Sequence, residues 1–167
     1  MSRPSGNSMG ALLGFEMIHQ WVSWGVSPPE NFSLGARPPH CSFAEPLSDL
    51  PSENFRDALL QLGGIPDTIL TDEESMSFFE ALLRQDFSNC ESYRCIQPNP
   101  LPCPIQAIAY DQDPLMTVEE TARWGDCTAE QFRLTTLTGE PHILTADTLM
   151  KTVQNLFLDY RPNRKSC

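Results

Sequence analysis

Gly6-Asn7-Ser8-Met9-Gly10 runs directly into an apolar segment over residues 11–25. G-x-S-x-G opening a helix is the sequence of a nucleophile elbow, in which a serine sits on a strained strand-to-helix turn. Glycine is expected on both sides of Ser8, because larger side chains would clash with the incoming strand or the outgoing helix. Ser8 is therefore the first candidate catalytic residue. Within residues 11–24, Leu13, Met17, Trp21 and Trp24 form one stripe and Leu12, Phe15, Ile18 and Val22 another. That pattern predicts a helix apolar on nearly every face and buried against a sheet, ended by Gly25.

Downstream, Asn31-Phe32-Ser33-Leu34-Gly35 reads as a short strand, left through the extended Arg37-Pro38-Pro39. Ile105-Gln106-Ala107-Ile108-Ala109-Tyr110 is a second strand and ends in Asp111-Gln112-Asp113-Pro114. Carboxylates at the C-terminal end of such a strand lie on the rim where open sheets place their sites. Residues 132–137 form a further short strand, and Thr138-Gly139-Glu140-Pro141 then delivers His142 just before a helix. Serine, acid and histidine thus follow one another in the chain order of the α/β-hydrolase triad. Asp111 and Asp113 both qualify as the acid by position.

Residues 40–93 carry helical patterning and no good strand. Phe55, Leu59 and Leu62 recur at helical spacing over residues 52–62 and stop at Gly63-Gly64. Thr71-Asp72-Glu73-Glu74 predicts a capping box for a helix with Met76, Phe79, Leu83 and Phe87 on one face. Thr117-Val118-Glu119-Glu120 predicts another, starting the helix that holds Trp124. A last helix is expected from Thr145, with Leu149, Val153, Leu156 and Tyr160 on one stripe, ahead of a polar tail over residues 161–167.

These segments in register resemble the type II thioesterases that accompany polyketide, nonribosomal-peptide and fatty-acid synthases. The likeness covers nearly the whole chain and rests on Gly6-Asn7-Ser8-Met9-Gly10-Ala11-Leu12-Leu13-Gly14, Leu50-Pro51, Leu62-Gly63-Gly64-Ile65-Pro66, Leu83-Arg84-Gln85-Asp86-Phe87 with Tyr93, Cys103-Pro104-Ile105, Asp113-Pro114, Trp124 and His142. The resemblance implies an α/β fold, the C-terminal part of an α/β-hydrolase with a mostly parallel sheet flanked by helices, and residues 40–93 as a helical lid insertion. It implies Ser8 as nucleophile, Asp113 as orienting acid and His142 as general base. Asp113 is favoured over Asp111 because it directly precedes proline and stands eleven residues before Trp124, as in the family. It also implies that Met76, Phe79, Leu83 and Phe87 line the acyl-binding channel. The family usually has histidine where this chain has Asn7, and G-G-H-F where it has Glu140-Pro141-His142-Ile143.

In the family several strands and the loop donating a second oxyanion-hole amide precede the elbow. Here residues 1–5, Met-Ser-Arg-Pro-Ser, stand before Gly6 and are not expected to form a strand. The resemblance therefore implies the C-terminal two-thirds of a thioesterase domain. An elbow without an incoming strand, and uncovered edges beside the strands at residues 31–35 and 105–110, are the expected consequences.

The 167 residues allow one domain with a sizeable core. A formal net charge of −11 disfavours nucleic acid and anionic membranes as partners. Arg84, Arg94, Arg123, Arg161, Arg164 and Lys165 are the obvious cations for an acidic carrier protein, and each reads more simply as a solvated charge. The six cysteines include no C-x-x-C pair and no histidine at ligand spacing, so free thiols and no metal or cofactor are expected. Neither a signal peptide nor a run of eighteen apolar residues occurs, which leaves the cytoplasm as the expected compartment. His19 reads as a packing residue, and His40 as a loop residue without a partner.

The triad chemistry has a physical reason for each member. A neutral imidazole must take the serine proton, and a carboxylate must fix its tautomer and stabilise the cation. The backbone N–H of Met9, the residue after the nucleophile, is the expected oxyanion donor. Three readings follow. One is hydrolysis of acyl thioesters on the phosphopantetheine arm of an acyl or peptidyl carrier protein. Another is an α/β-hydrolase acting on oxygen esters. The third is a non-catalytic form that only binds a carrier protein.

Overall fold

A computed structural model describes residues 2–41, 46–63, 65–95 and 98–138. Four strands make one parallel sheet in the order β1 (Ser5–Asn7), β2 (Phe32–Gly35), β3 (Ile105–Tyr110) and β4 (Phe132–Leu137). All neighbours are parallel, with Gly6 opposite Leu34, Leu34 opposite Ala107 and Ala107 opposite Leu134. Every residue of β2 and β3 is buried, as expected for strands covered on both faces. All four strands end on the same edge of the sheet.

The first strand corrects the expectation for the N-terminal segment. Residues 5–7 do form an incoming strand, and the pairing extends upstream through Ser33 N–H to Pro4 O at 3.1 Å and Glu30 N–H to Ser2 O at 3.0 Å. Arg3 Nε meets Glu30 Oε2 at 3.0 Å. Ser-Gly-Asn has little strand propensity of its own. The open hydrogen-bonding edge of β2 supplies the partner, and tertiary context overrides propensity. Pro4 offers its carbonyl, so its missing N–H costs nothing here. Consequently β2 is paired on both sides, by β1 and β3, and β3 by β2 and β4.

α1 (Met9–Ser23) leaves the elbow and buries Ala11, Phe15 and Ile18, one turn apart. They pack with Phe32, Leu34, Ala36, Ile105, Ala107 and Trp124 in the main core, each large side chain contributing about 1.5–3 kcal/mol. Burial on nearly every face is not found. Leu13, Met17 and Trp24 are 57%, 50% and 70% exposed, so of that stripe only Trp21 packs on the main core, beside Leu12, Phe15, Ile18 and Val22 of the other. Gly14 selects that face: a Cβ there would lie 2.8 Å from Phe32 Cζ.

Between β2 and β3 the chain forms a helical unit. A 3₁₀ turn at Leu47–Asp49 leads to α2 (Ser52–Leu62), the short α3 (Asp67–Leu70) and α4 (Glu73–Ser92). Phe55, Leu59, Leu62 and Met76 make a second core, joined by Leu50, Ile65, Ile69, Leu83, Phe87 and Leu115. Glu80 is buried between two guanidinium groups, Arg56 Nε at 2.7 Å and Arg84 Nη2 at 2.9 Å. Burial alone would raise its pKa, but the hydrogen bonds from Arg56, Ser52 and Arg84 outweigh this and hold the carboxyl at about 2. Arg84 also lies 4.2 Å over the Phe55 ring and donates to Ser48 O at 2.8 Å. It is thus a brace of this unit rather than a solvated charge.

The cap of α4 is Asp72, whose carboxylate accepts the Ser75 N–H at 2.9 Å, one residue later than the expected Thr71–Glu74 pair. An aspartate at the N-cap satisfies the first-turn amides as well as threonine would. α5 (Val118–Ala122) shows both bonds of the expected capping box, between Thr117 and Glu120. It then tightens into a 3₁₀ segment, Arg123–Cys127, so Trp124 stands beyond the α-helix proper. Its indole Nε1–H donates to Ala36 O at 2.7 Å. The expected turn at residues 138–141 is described only at Thr138, and His142, the last helix and the polar tail lie outside the described residues. Among the described residues no helix is long and apolar enough to cross a membrane.

Candidate active site

Ser8 stands between β1 and α1 with φ 51° and ψ −124°, the one described non-glycine residue with positive φ. A residue held there stores on the order of 1–3 kcal/mol of strain, which persists only where the surroundings enforce it. Here they are backbone: Ser8 N–H donates to Gly35 O at 2.7 Å, and Ala11 N–H to Ser8 O at 3.0 Å. The two elbow glycines differ. A Cβ on Gly6 would lie 2.3 Å from the Gly10 carbonyl oxygen, while a Cβ on Gly10 would meet nothing within 4 Å. The steric need expected on both sides of Ser8 therefore holds for Gly6 and not for Gly10, because the strand crosses the helix start on Gly6's side only.

Met9 is the first residue of α1. No carbonyl lies one turn earlier in the helix to accept its N–H, and the helix dipole is positive there. This is the expected oxyanion donor, and Ser8, Met9 and Gly10 all line one cavity of about 390 Å³. Asn7 lies beside them. Gly35 makes room for its side chain, since a Cβ on Gly35 would come within 2.6 Å of Asn7 Oδ1 and 3.4 Å of the Tyr110 hydroxyl.

The far wall of the cavity is α4, through Leu83, Asp86, Phe87, Cys90 and Tyr93. Of the four residues expected along an acyl channel, Leu83 and Phe87 line this cavity. Met76 and Phe79 are not among the lining residues: Met76 is buried in the second core, and Phe79 packs edge-on against Phe78 with centroids 6.0 Å apart. Successive steps of three and four residues rotate slowly around the helix, so a stripe that begins over the core ends over the cavity. Tyr93, at the end of α4, donates its hydroxyl hydrogen to Glu16 on α1. Burial, and then the Glu16 carboxylate, push the phenol pKa upward and keep it protonated.

The acid loop follows β3. Asp113 N–H donates to Tyr110 O at 3.3 Å, and Asp113 Oδ1 accepts the Leu115 N–H at 2.8 Å. Asp111 is exposed, with its N–H bonded to Leu137 O at 3.1 Å, whereas Asp113 is half-buried. Arg37, in the Arg-Pro-Pro segment after β2, fixes this loop. One guanidinium nitrogen meets Glu120 Oε1 at 2.5 Å and the other donates to Leu115 O. Glu120 Oε2 in turn accepts the Thr117 N–H at 2.9 Å. Ser8 and Asp113 thus both stand at the C-terminal ends of parallel strands, on one edge of the sheet, where such sheets bind ligands. His142 follows the end of β4 in sequence and lies outside the described residues.

Sequence reasoning missed several residues. Arg37 read only as the exit of a strand, and Glu120 only as a cap. The signal for Arg37 was its cation among prolines, with no nearby acid in sequence. His40 is not partnerless: its side chain is only 6% exposed, with Nδ1 3.7 Å from Cys127 Sγ and Nε2 3.4 Å from Asp126 Oδ2. Burial foremost, then Arg123, lowers its pKa, against the opposing pull of Asp126. His19 stacks edge-on against Phe15 at 4.5 Å, a packing role as expected.

A family model described as the thioesterase domain matches residues 5–157. The linear gramicidin dehydrogenase LgrE of Brevibacillus parabrevis is 31% identical over 167 residues, spanning 93% of this chain and 64% of the relative. The gramicidin S biosynthesis protein GrsT of Aneurinibacillus migulanus is 34% identical over 143 residues, 83% of this chain and 55% of the relative. Among solved structures, the RedJ thioesterase from the prodiginine pathway of Streptomyces coelicolor superposes with a TM-score of 0.80 at 26% identity, covering 92% of this chain and 62% of that one. The type II thioesterase BorB from the borrelidin cluster gives a TM-score of 0.76 at 27% identity, over 93% of this chain and 64% of that one. The chain thus spans less than two thirds of the length of each of these relatives. With the elbow and the parallel sheet of the described residues beside a family model that matches residues 5–157, the chain belongs to the thioesterase-domain family.

Proposed function

We propose that this chain carries the catalytic centre of a serine hydrolase that cleaves acyl thioesters from the phosphopantetheine arm of an acyl or peptidyl carrier protein, either editing stalled groups or releasing a fatty acyl chain. The observation that carries the reading is Ser8, strained at φ 51° and exposed where a largely apolar cavity opens. His142 takes the Ser8 proton as the hydroxyl oxygen attacks the thioester carbonyl, and Asp113 holds the imidazole tautomer and stabilises the imidazolium. The Met9 N–H receives the oxyanion, a contact whose loss typically costs about 10² to 10³ in rate. Collapse of the tetrahedral intermediate expels the arm's sulfur, which takes the proton from His142. A water deprotonated by the same imidazole then hydrolyses the acyl-serine and frees the acid.

Residues 40–93 act in this reading as the lid over the acyl chain, with Leu83 and Phe87 as its contacts. The names of relatives and structural neighbours favour a sulfur over an oxygen leaving group. The test is hydrolysis of acyl-loaded carrier protein by the chain and by Ser8→Ala. Turnover abolished in the variant supports the reading. Faster cleavage of simple oxygen esters would shift it to an esterase, and carrier binding without Ser8-dependent turnover would leave a binding protein.

A further inference from the structure

Two charged side chains line the described cavity, Arg37 and Asp86. They are not equivalent. Arg37 is already neutralised by Glu120 and holds the Leu115 carbonyl. The phenol of Tyr93, which also lines the cavity, is spent on Glu16. Asp86, midway along α4 between Leu83 and Cys90, has neither a hydrogen bond nor an ion pair to any described residue. The cations on its own helix and on α2 are engaged elsewhere: Arg84 bonds Glu80 and Ser48 O, and Arg56 bonds Glu73 and Glu80. The Cys90 thiol one turn on responds to this carboxylate, its pKa raised by burial and further by Asp86.

A half-buried carboxylate facing apolar walls loses hydration when a ligand fills the space beside it. An apolar chain makes that loss worse, whereas a cationic group replaces the lost water with a charge-assisted hydrogen bond. A pocket with one unanswered polar group rejects the isostere that cannot answer it. On the reading that this cavity holds the acyl group, we infer that Asp86 is a specificity-determining residue that selects acyl groups bearing a protonated amine, as in aminoacyl thioesters, over plain fatty acyl groups of the same shape.

The test compares leucyl- and 4-methylpentanoyl-N-acetylcysteamine thioesters, which differ only in the α-amine, on the full chain at pH 7. Because the two esters differ in intrinsic reactivity, the quantity read is the change in their kcat/KM ratio between native protein and Asp86→Asn. The ratio should fall about tenfold or more, through loss on the leucyl substrate alone, and Asp86→Glu should retain most of it. In native protein the ratio should also decline as the pH passes about 8, where the amine loses its proton. An unchanged ratio, or equal loss on both substrates, overturns the inference. A second arm is independent of turnover: equilibrium binding of leucinamide and 4-methylpentanamide to the Ser8→Ala chain, with and without Asp86→Asn. Tighter leucinamide binding abolished by Asp86→Asn sustains the inference even if neither thioester is cleaved, in which case the hydrolase reading fails by itself. Equal binding of both amides refutes the inference whatever the kinetics show.

Discussion

Alanine at Gly6 would place a Cβ 2.3 Å from the Gly10 carbonyl oxygen, 2.5 Å from its carbon and 2.7 Å from the Ala11 nitrogen. All three are backbone atoms, so no side chain can swing away. Restoring ordinary contact requires the start of α1 to move by roughly 1 Å from β1, and overpacking of this kind costs about 1–3 kcal/mol. The upper end applies, because that movement also stretches the 2.7 Å bond from Ser8 N–H to Gly35 O. Alanine at Gly10 meets nothing within 4 Å, and at a helical position compatible with a side chain it stabilises by about 0.4–1 kcal/mol by restricting the unfolded chain. The two substitutions in one motif should therefore differ by about 3–4 kcal/mol. With a urea dependence of about 1–3 kcal/mol per molar, Gly6→Ala should lower the unfolding midpoint by about 1–3 M while Gly10→Ala raises it. Tryptophan fluorescence is a suitable probe, since Trp124 is fully buried against the elbow helix. Equal destabilisation by both variants, or a harmless Gly6→Ala, would refute the argument that Gly6 is required by the backbone crossing.

Three further outcomes are expected. Asp113→Asn should depress acyl-thioester turnover by about 10³ to 10⁴ through the wrong imidazole tautomer, and Asp111→Asn should leave it nearly unchanged; the reverse ranking moves the acid to Asp111. Arg37→Met removes a guanidinium whose side chain is 13% exposed from a Glu120 that is 34% exposed, so urea titration should show a loss of about 1–2 kcal/mol and steady-state kinetics a lower kcat; unaltered kcat would mean that the loop does not position the acid. Glu80 has its folded pKa depressed to about 2 from 4.5, so its contribution is complete above pH 4.5 and is lost as the pH falls from there toward 2; the stability gap between native protein and Glu80→Gln should shrink over that window, and a gap that stays constant there would show that Glu80 is not the titrating group.

What the sequence made legible follows from local chemistry. The bounds of β3, β4 and α2 agree with the periodic apolar runs and their Pro or Gly flanks, since those strands and that helix are specified by their own residues. Ser8 and its turn were legible because a strained turn needs a recognisable residue set. The strand β1 was not, since Ser5-Gly6-Asn7 adopts its conformation only because β2 presents an open edge. The buried face of α1 was equally hidden. Two apolar stripes compete on that helix, and the choice is made by the close approach of Gly14 to the Phe32 ring, eighteen residues away in sequence.

The cavity itself belongs to no single segment. It opens along the seam between the sheet core around Phe15, Phe32 and Trp124 and the helical core around Phe55 and Met76. Leu115 belongs to both sides of the seam. Its side chain packs on the helical core, its N–H bonds Asp113, and its carbonyl accepts from Arg37. The orientation of the acid is thereby tied, through Leu115, to the packing of a unit more than twenty residues away in sequence. Across the opposite end, the Tyr93–Glu16 bond joins α4 to the elbow helix. These joints are made of single residues with ordinary local contexts, an arginine between alanine and proline and a leucine after a proline. No periodicity or motif marks such positions, because what distinguishes them is the partner each meets across the seam.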